Sequence, residues 1–440
     1  MKRSRLSIRR PAAGVLLAAF GLCGALASSA VGATDSIAEL FDGRLPNNFP
    51  FLNGAGTAAT YSTAGFVDLT NPFHVPQGTN GRSCESCHLP QVGWSIRPID
   101  VELKFLLSQG NDPIFNALDA DNPSPDVSSL QAKRASYSML RKGLFRRGGP
   151  VQPTFEYEIV AFDDPLRAGA TLTQFQFFRR PLATANFHIA KNVGWHDQNA
   201  NGSGNVLAGL IAQADGNITG SQQGARATPE TLNSIATYEL ELGFAQQFSF
   251  SVGSLTACGA KGGPENLSAQ QPTIGRFDLF DAWMNLKPGS CGSKAVDRKR
   301  AQIARGQEIF NSVNAGSDRS CNGCHNAVNN GSRVDGRLFD VRASQARFRK
   351  PGMPLYKVKN KTTLEERDTT DPGRALRSGR WGDMDLFKTP SLRGLAARAP
   401  YFHNGIAANL TEAVRHYEVA LNFQYTDQER ADLVAFLEAL

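Results

Sequence analysis

Two copies of the pattern Cys-x-x-Cys-His constrain what this chain can be more than any other feature. They are Cys84-Glu-Ser-Cys87-His88 and Cys321-Asn-Gly-Cys324-His325. Two thiols one short turn apart can form thioethers with the two vinyl groups of one porphyrin, and the next histidine reaches one face of the iron. Structural zinc needs four ligands and each pattern offers three, so zinc and a redox-active dithiol are the weaker alternatives. The spacing predicts two covalently bound haem c groups, with His88 and His325 as iron ligands.

The N-terminus has the pattern of a secretory signal. Basic residues precede an apolar run from Ala12 to Ala27, and the small residues Val31-Gly32-Ala33 follow. The run is interrupted by glycines, which favours a cleaved signal over an uncleaved membrane anchor. We predict a signal peptide over residues 1–33, periplasmic localisation, and no membrane span in the mature chain.

The net charge changes once this segment is removed. The chain of 440 residues has a formal charge of +7, and the signal holds five basic residues and no acid, which leaves +2. A charge this small excludes a strongly basic, nucleic-acid-binding protein. Residues 342–361 are locally basic and contain no acid. This run is either a docking patch for an acidic electron-transfer partner or a solvated loop.

The two cysteines of the mature chain outside the motifs are Cys258 and Cys291. In an oxidising compartment they most simply form a disulfide that closes a loop of about thirty residues. A catalytic dithiol is the alternative, although their spacing matches no redox motif.

A cluster of helix breakers at residues 288–293 predicts a boundary between two regions. We expect an N-terminal haem domain with insertions over residues 34–292 and a C-terminal cytochrome c-like haem domain over residues 293–440. The fold class is therefore predicted to be mainly α, with two cytochrome c-like haem domains.

Local signals support this fold class. Thr228-Pro229 predicts a helix start, and Thr426-x-x-Glu429 is a capping box. The segments Phe155–Val160 and Leu172–Phe178 partly alternate apolar with polar residues around turn signals. They predict a small β-hairpin inserted in the first domain.

The second half carries three further motifs: Lys388-Thr-Pro-Ser-Leu-Arg393, Ala399-Pro-Tyr-Phe-His-Asn-Gly405 and Leu410-Thr-Glu-Ala-Val. Together with the two haem motifs they resemble the bacterial dihaem cytochrome c peroxidase family, which includes dihaem enzymes that mature a tryptophan-derived quinone cofactor. The resemblance is specific over about half of the chain. It implies that the His88 haem reduces hydrogen peroxide and that the His325 haem takes electrons from a small donor redox protein. It also leaves room for a calcium ion and a homodimer.

The same resemblance points to Tyr417 as sixth ligand of the second haem. Aligned from Tyr401–Gly405, this residue falls where peroxidases place an axial methionine and where the tryptophan-cofactor branch has tyrosine. A phenolate would favour ferric iron, whereas thioether sulfur would raise the potential. The alternatives are that Tyr417 only packs at a helix end and that His416, Met384 or Met353 is the ligand.

The surroundings of the first haem depart from the family pattern. Gly194-Trp195-His196-Asp197 corresponds to the family's tryptophan segment, so Trp195 is a candidate for the path between the haems, with a core tryptophan as the alternative. A distal glutamate is expected some twenty residues later, but residues 198–229 contain none. Asp215, Gln222 and Gln223 are the residues in that stretch that could take its place. His196 or His188 could move the proton instead, or could bind the first iron.

These motifs predict an enzyme, a periplasmic dihaem c-type oxidoreductase that reduces hydrogen peroxide. Trp195, His196 and Asp215 are its candidate catalytic residues. One alternative is a dihaem electron-transfer cytochrome without turnover. The other is a high-valent dihaem oxidase of a protein or organic substrate.

Overall fold

The computed structural model describes residues 38–314 and 316–440. The predicted signal peptide, residues 1–33, lies outside the described residues. Within the described ranges, every helix is too short or too polar to cross a bilayer.

Helices and short strands alternate along the chain. The α-helices are α1 (Pro98–Ser108), α2 (Leu130–Ser136), α3 (Val206–Gly216), α4 (Pro229–Glu241), α5 (Pro264–Ser268), α6 (Lys294–Asn311), α7 (Cys321–Cys324), α8 (Ala375–Ser378), α9 (Leu410–Leu421) and α10 (Asp427–Glu438). The strands are β1 (Arg44–Pro46), β2 (Phe51–Asn53), β3 (Gly56–Ser62), β4 (Phe66–Asp68), β5 (Phe145–Pro150), β6 (Tyr157–Asp163), β7 (Gln174–Arg179), β8 (Leu242–Ser249), β9 (Gly253–Ser254), β10 (Leu338–Phe339), β11 (Leu355–Asn360), β12 (Glu366–Thr369) and β13 (Phe387–Lys388).

The predicted helix starts are present. At the start of α4 the Thr228 side chain accepts a hydrogen bond from Thr231 N, and Pro229 occupies the first turn. At the start of α10, Thr426 and Glu429 form the reciprocal capping box. These helix starts are confirmed because capping depends on residues three or four positions apart.

The strand content is higher than a mainly α fold implies. Helices make up about 33% of the chain and strands about 17%. The strands form small antiparallel sheets, the largest with the order β2-β3-β8-β9. The prediction of a mainly α fold is thus supported only in part, since short strands of a few residues give weak sequence signals.

The predicted β-hairpin is wrong, although both of its strands exist. Strand β6 pairs with β11, and β7 pairs with β5. The inward faces of β6 and β7, carrying Tyr157, Ile159, Phe175 and Phe177, instead pack together in one apolar cluster. Alternation predicts a strand and its buried face, but the partner strand is chosen by contacts far away in sequence.

Two other features of the chain organisation concern the region near residue 292. The disulfide between Cys258 and Cys291 is confirmed, with Cα atoms 6.1 Å apart. Helix α6 begins directly afterwards, capped by Ser293, and packs on α10 in the largest apolar cluster through Phe310 and Phe436. Strands from both sides of the predicted boundary pair in the β12-β11-β6 sheet, and the boundary itself stays a prediction.

Candidate functional site

The first Cys-x-x-Cys-His motif forms a single tight turn. The amides of Cys87 and His88 both donate to Cys84 O, at 3.2 and 3.1 Å. His88 Nδ1 donates to Trp94 O at 3.0 Å, and since a carbonyl can only accept, Nδ1 carries the proton. Burial lowers the pKa of His88 to about 4, so the ring is neutral near pH 7. Its Nε2 therefore has a free lone pair, as an iron ligand requires.

The second motif repeats this arrangement. It forms the short helix α7, in which His325 N donates to Cys321 O at 3.0 Å. His325 Nδ1 donates to the Gly331 carbonyl, and burial lowers the pKa of His325 to about 4. Gly331 has φ of +77°, and a Cβ there would lie 2.8 Å from Leu392 Cγ. A glycine is thus needed to bring its carbonyl to the histidine.

The four motif cysteines fit haem attachment better than zinc or redox chemistry. None of them forms a disulfide in the described residues. Burial raises the pKa of Cys87 and of Cys321 to about 11, so both are thiols near neutral pH and lack the thiolate that dithiol exchange uses. In residues 38–314 and 316–440 no three His, Cys, Asp or Glu side chains converge on one metal position.

Apolar walls surround both motifs. Cys84 packs against a cluster that includes Ile218 and Ile235, and Cys87 against a second cluster that includes Ile96. Cys321 packs against the cluster of Phe310 and Phe436. Porphyrin faces are apolar, so these walls suit a haem at each motif.

Tyr417 lies beside the second motif. It sits on α9, where Phe402 and Phe423 contact its ring at centroid distances of 5.7 and 6.2 Å. Burial and the nearby thiols of Cys321 and Cys324 raise the pKa of its hydroxyl well above the usual value. An iron ion at this motif would reverse that shift, because a cation stabilises the phenolate.

The alternative ligands differ in their surroundings. His416 Nε2 donates to Val341 O at 2.8 Å. Met384 is buried in the cluster of Tyr157 and Trp381, and Met353 packs with another set of apolar residues. The placement therefore favours Tyr417 over the two methionines, whereas the Nδ1 lone pair of His416 is free and His416 stays an alternative.

The residues predicted for the first haem are only partly brought together. Trp195 Nε1 donates to Arg180 O at 2.7 Å, and its ring meets His403 edge-on at 6.1 Å. His196 Nδ1 accepts from the buried Arg179 guanidinium. Burial, and in second place the positive charge of Arg179, lowers the pKa of His196 well below the usual range. His188 Nε2 donates to Leu267 O at 3.2 Å, so its Nδ1 keeps a lone pair, whereas the corresponding nitrogen of His196 is already bonded to Arg179.

Asp215 lies away from this group. It forms an ion pair with Arg226 at 2.9 Å, and the Arg226 side chain is 77% exposed. A carboxylate held in a surface pair does not support an acid–base role at a buried iron.

Two side chains near Cys84 are better placed than Asp215 for that role. Gln222 is buried, and its Nε2 lies 3.9 Å from Cys84 Sγ. Glu239 on α4 is 1% exposed, and its Oε2 has no hydrogen-bond partner in the described residues. Burial raises the pKa of Glu239 well above the usual range, and its charge would act on the Cys84 thiol. Glu239 lies beyond residues 198–229, where the family pattern places the distal group. Its position inside an amphipathic helix gives no sequence signal of its own.

Three of the seven basic residues in the run 342–361 pair with acids outside it. Arg342 pairs with Asp340 at 3.0 Å, and Arg349 pairs with Asp163 at 2.7 Å. Lys357 lies 3.3 Å from an oxygen of Asp368 on the neighbouring strand. These pairs weaken the case for a docking patch, because the local excess of positive charge is smaller than the sequence indicates.

Comparison with known proteins places these motifs in a wider group. Cytochrome c551 peroxidase of Nitrosomonas europaea shares 28% identity over 148 residues, which is 33% of this chain and 44% of that protein. Cytochrome-c peroxidase IdrP1 of Denitromonas iodatirespirans shares 31% over 190 residues, 37% and 44% of the two chains. Methylamine utilization protein MauG of Methylorubrum extorquens shares 42% over 65 residues, 12% and 18% of the two.

The chain is related to bacterial cytochrome c peroxidases and MauG. This confirms the resemblance inferred from the motifs. The matched regions span less than half the length of each of these relatives, and no family model matches the chain. A solved MauG-like protein associated with microbial copper homeostasis aligns over 60% of this chain and 73% of its own, with 15% identity and a TM-score of 0.34.

Proposed function

We propose that this chain is a periplasmic dihaem c-type oxidoreductase that reduces hydrogen peroxide with electrons from a small redox protein. One observation carries the proposal: both motifs present two unpaired thiols and a neutral histidine whose Nδ1 proton is fixed by a carbonyl. The relationship to cytochrome c peroxidases supports the same activity.

The two motifs serve different tasks in this proposal. Haem, when bound, supplies one-electron redox chemistry and an iron site for peroxide. His325 and Tyr417 are the proposed ligands of the second haem, which suits electron entry because a saturated iron reorganises little. His88 is proposed to hold the first haem, whose iron needs an open position for peroxide.

Glu239 is proposed as the proton-holding group near the first haem. Peroxide cleavage needs a group that takes a proton from one oxygen and gives it to the other, and the Gln222 amide cannot do this. A buried carboxylic acid could give its own proton to one oxygen and take up the proton of the other, which would restore the acid. Glu239→Gln is expected to lower peroxide turnover by about 10²–10⁴-fold with both haems retained. Gln222→Ala is the matched control, and equal losses in the two variants would remove Glu239 from this role.

The proposed function is tested by peroxide titration of the fully and half-reduced protein. Haem content is first measured by absorbance and intact mass, with Cys84→Ser and Cys321→Ser each expected to disrupt attachment of one haem. A high-spin ferric signal from one haem and consumption of peroxide are the expected results. Two low-spin haems inert to peroxide would reject the proposal in favour of an electron-transfer cytochrome.

Oxidation of a protein or organic substrate is a second candidate function, favoured by the placement of Tyr417 beside the second motif. A phenolate ligand stabilises oxidised iron. This function predicts an oxidised species that persists after peroxide is consumed and that decays on addition of a reducing substrate. Immediate return to the ferric state without added donor would exclude it.

A further inference from the structure

Four cationic side chains near the two motifs have no carboxylate partner. They are Arg180, Lys388, Arg393 and Arg398; the first three are buried, and Arg398 is partly exposed in a cavity. Among the described residues none of the four forms an ion pair, and their N–H groups donate to backbone carbonyls only. Burial lowers the pKa of Arg393 to about 9, as expected for a charge without a counter-ion.

Other buried arginines of this chain are paired. Arg82 contacts Asp119 at 2.7 Å, and Arg179 contacts Asp371 at 2.6 Å. A buried charge without a partner is strongly destabilising, because removal from water is not offset. We therefore expect the four cations to bind an anion that does not belong to the polypeptide.

The position of these cations indicates which anion. A Cβ on Gly93, in the turn that follows His88, would lie 3.3 Å from Arg398 Cδ. Arg393 NH1 donates to Asn329 O at 3.0 Å, two residues before the Gly331 carbonyl that holds His325. Segment 388–398 thus reaches both motifs.

A small cavity lies along this segment. Lys388 and Arg398 line it together with Leu182 and Ser332. Ser332 follows Gly331 directly, and its hydroxyl is buried without a hydrogen-bond partner in the described part of the chain. The Nε atoms of Arg393 and Arg398 also lack acceptors there. Lys388, Arg398 and the unbonded Ser332 hydroxyl thus face one small space, and Arg393 lies close to the second motif through Asn329.

We propose that Arg180, Lys388, Arg393 and Arg398 bind the propionate carboxylates of the two haems, with Arg393 serving the His325 haem and Arg398 the His88 haem. This inference rests on the proposed binding of two haems. Each haem brings a pair of carboxylates, and arginine pairs with carboxylate through two parallel hydrogen bonds. Arg180, whose NH2 lies 3.2 Å from Arg398 O, supports Arg398, and Lys388 adds charge at the cavity wall.

The test is a potentiometric titration of the holoprotein with each haem followed separately. A cation near a haem favours its reduction, so Arg393→Gln is expected to lower the midpoint potential of the His325 haem more than that of the other. Arg398→Gln is expected to do the reverse. Lys299→Gln removes an exposed charge on α6 and is the matched control, with both midpoints unchanged.

Propionate vibrations measured by resonance Raman spectroscopy give a second readout. Arg393→Lys and Arg398→Lys keep the charge but lose the two-point hydrogen bond, so the propionate bands are expected to shift while the midpoints move less than in the glutamine variants. If the glutamine variants do not accumulate as folded protein, the propionate bands of the lysine variants decide the test. Unshifted bands or unchanged midpoints in a protein with both haems overturn the inference, whereas a protein without haem overturns the proposed function instead.

Discussion

Breaking the ion pair between Arg179 and Asp371 is expected to destabilise the protein by about 3–5 kcal/mol. Arg179 Nε and NH2 contact the two Asp371 oxygens at 2.6 and 2.7 Å, and the side chains are 7% and 2% exposed. Asp371→Asn removes the carboxylate charge and leaves a guanidinium buried without a counter-ion. The full penalty of an uncompensated buried charge then applies, rather than the small net value of the pair.

The assay is urea unfolding of the holoprotein, followed by far-ultraviolet circular dichroism. Asp335→Asn is the control, because Asp335 pairs with Arg333 at 2.7 Å but is 45% exposed. Exposed pairs contribute about 1 kcal/mol or less. Similar losses in the two variants would show that burial does not strengthen the Arg179–Asp371 pair and would refute the argument.

The pH dependence gives an independent check with a definite sign. Burial alone would raise the pKa of Asp371, but the Arg179 guanidinium more than offsets this and holds it below the usual value. A carboxyl with a lowered pKa in the folded state stabilises fully above its unfolded pKa of about 3.9. The difference in unfolding free energy between wild type and Asp371→Asn should therefore be constant near neutrality and shrink as the pH falls below that value. A difference that grows on acidification would contradict the assignment.

Three other substitutions test separate parts of the structure. Tyr417→Phe should change the absorption and electron paramagnetic resonance spectra of the second haem alone; unchanged spectra would mean that Tyr417 is not its ligand. Gly331→Ala should disturb the carbonyl that holds His325 and lower the unfolding free energy by about 1–2 kcal/mol. Unfolding and the spectrum of the second haem both measure this effect. Gly382→Ala is the control, because its Cβ position is open, and it should leave that spectrum unchanged. The double variant Cys258→Ala, Cys291→Ala should lose roughly 3–4 kcal/mol, because the disulfide closes a loop with a sequence separation of 33; a loss below 1 kcal/mol by the same unfolding assay would contradict the loop-closure argument.

Features fixed by neighbouring residues could be predicted from the sequence. The turn that aligns Cys84 and Cys87 with His88 spans five residues, and the capping box at Thr426 spans four. The disulfide followed from the compartment and the cysteine count. In each case few alternatives existed, so composition and spacing were sufficient.

Features that depend on contacts between residues far apart in the chain could not be predicted from the sequence. Strand β6 pairs with β11, almost 200 residues later in the chain, and Arg179 pairs with Asp371 across a sequence separation of 192. Glu239 looks like an ordinary surface acid on a helix, and Arg393 looks like an ordinary surface cation. Only packing shows that both are buried, Glu239 with an unbonded carboxyl oxygen and Arg393 without a carboxylate partner among the described residues.

The contacts between the two halves bear on how the haem sites could move. Strands β6 and β11 pair over six residues each way with one irregularity, the Arg179–Asp371 pair is buried, and Arg180 donates to Arg398 O. Movement of one half relative to the other would break the hydrogen bonds between β6 and β11. It would also leave a buried charge without its partner, at a cost of several kcal/mol. The spacing between the two haem motifs is therefore set by the fold. A change in activity on reduction would then have to come from local rearrangements at Tyr417 or at segment 388–398, without separation of the two halves.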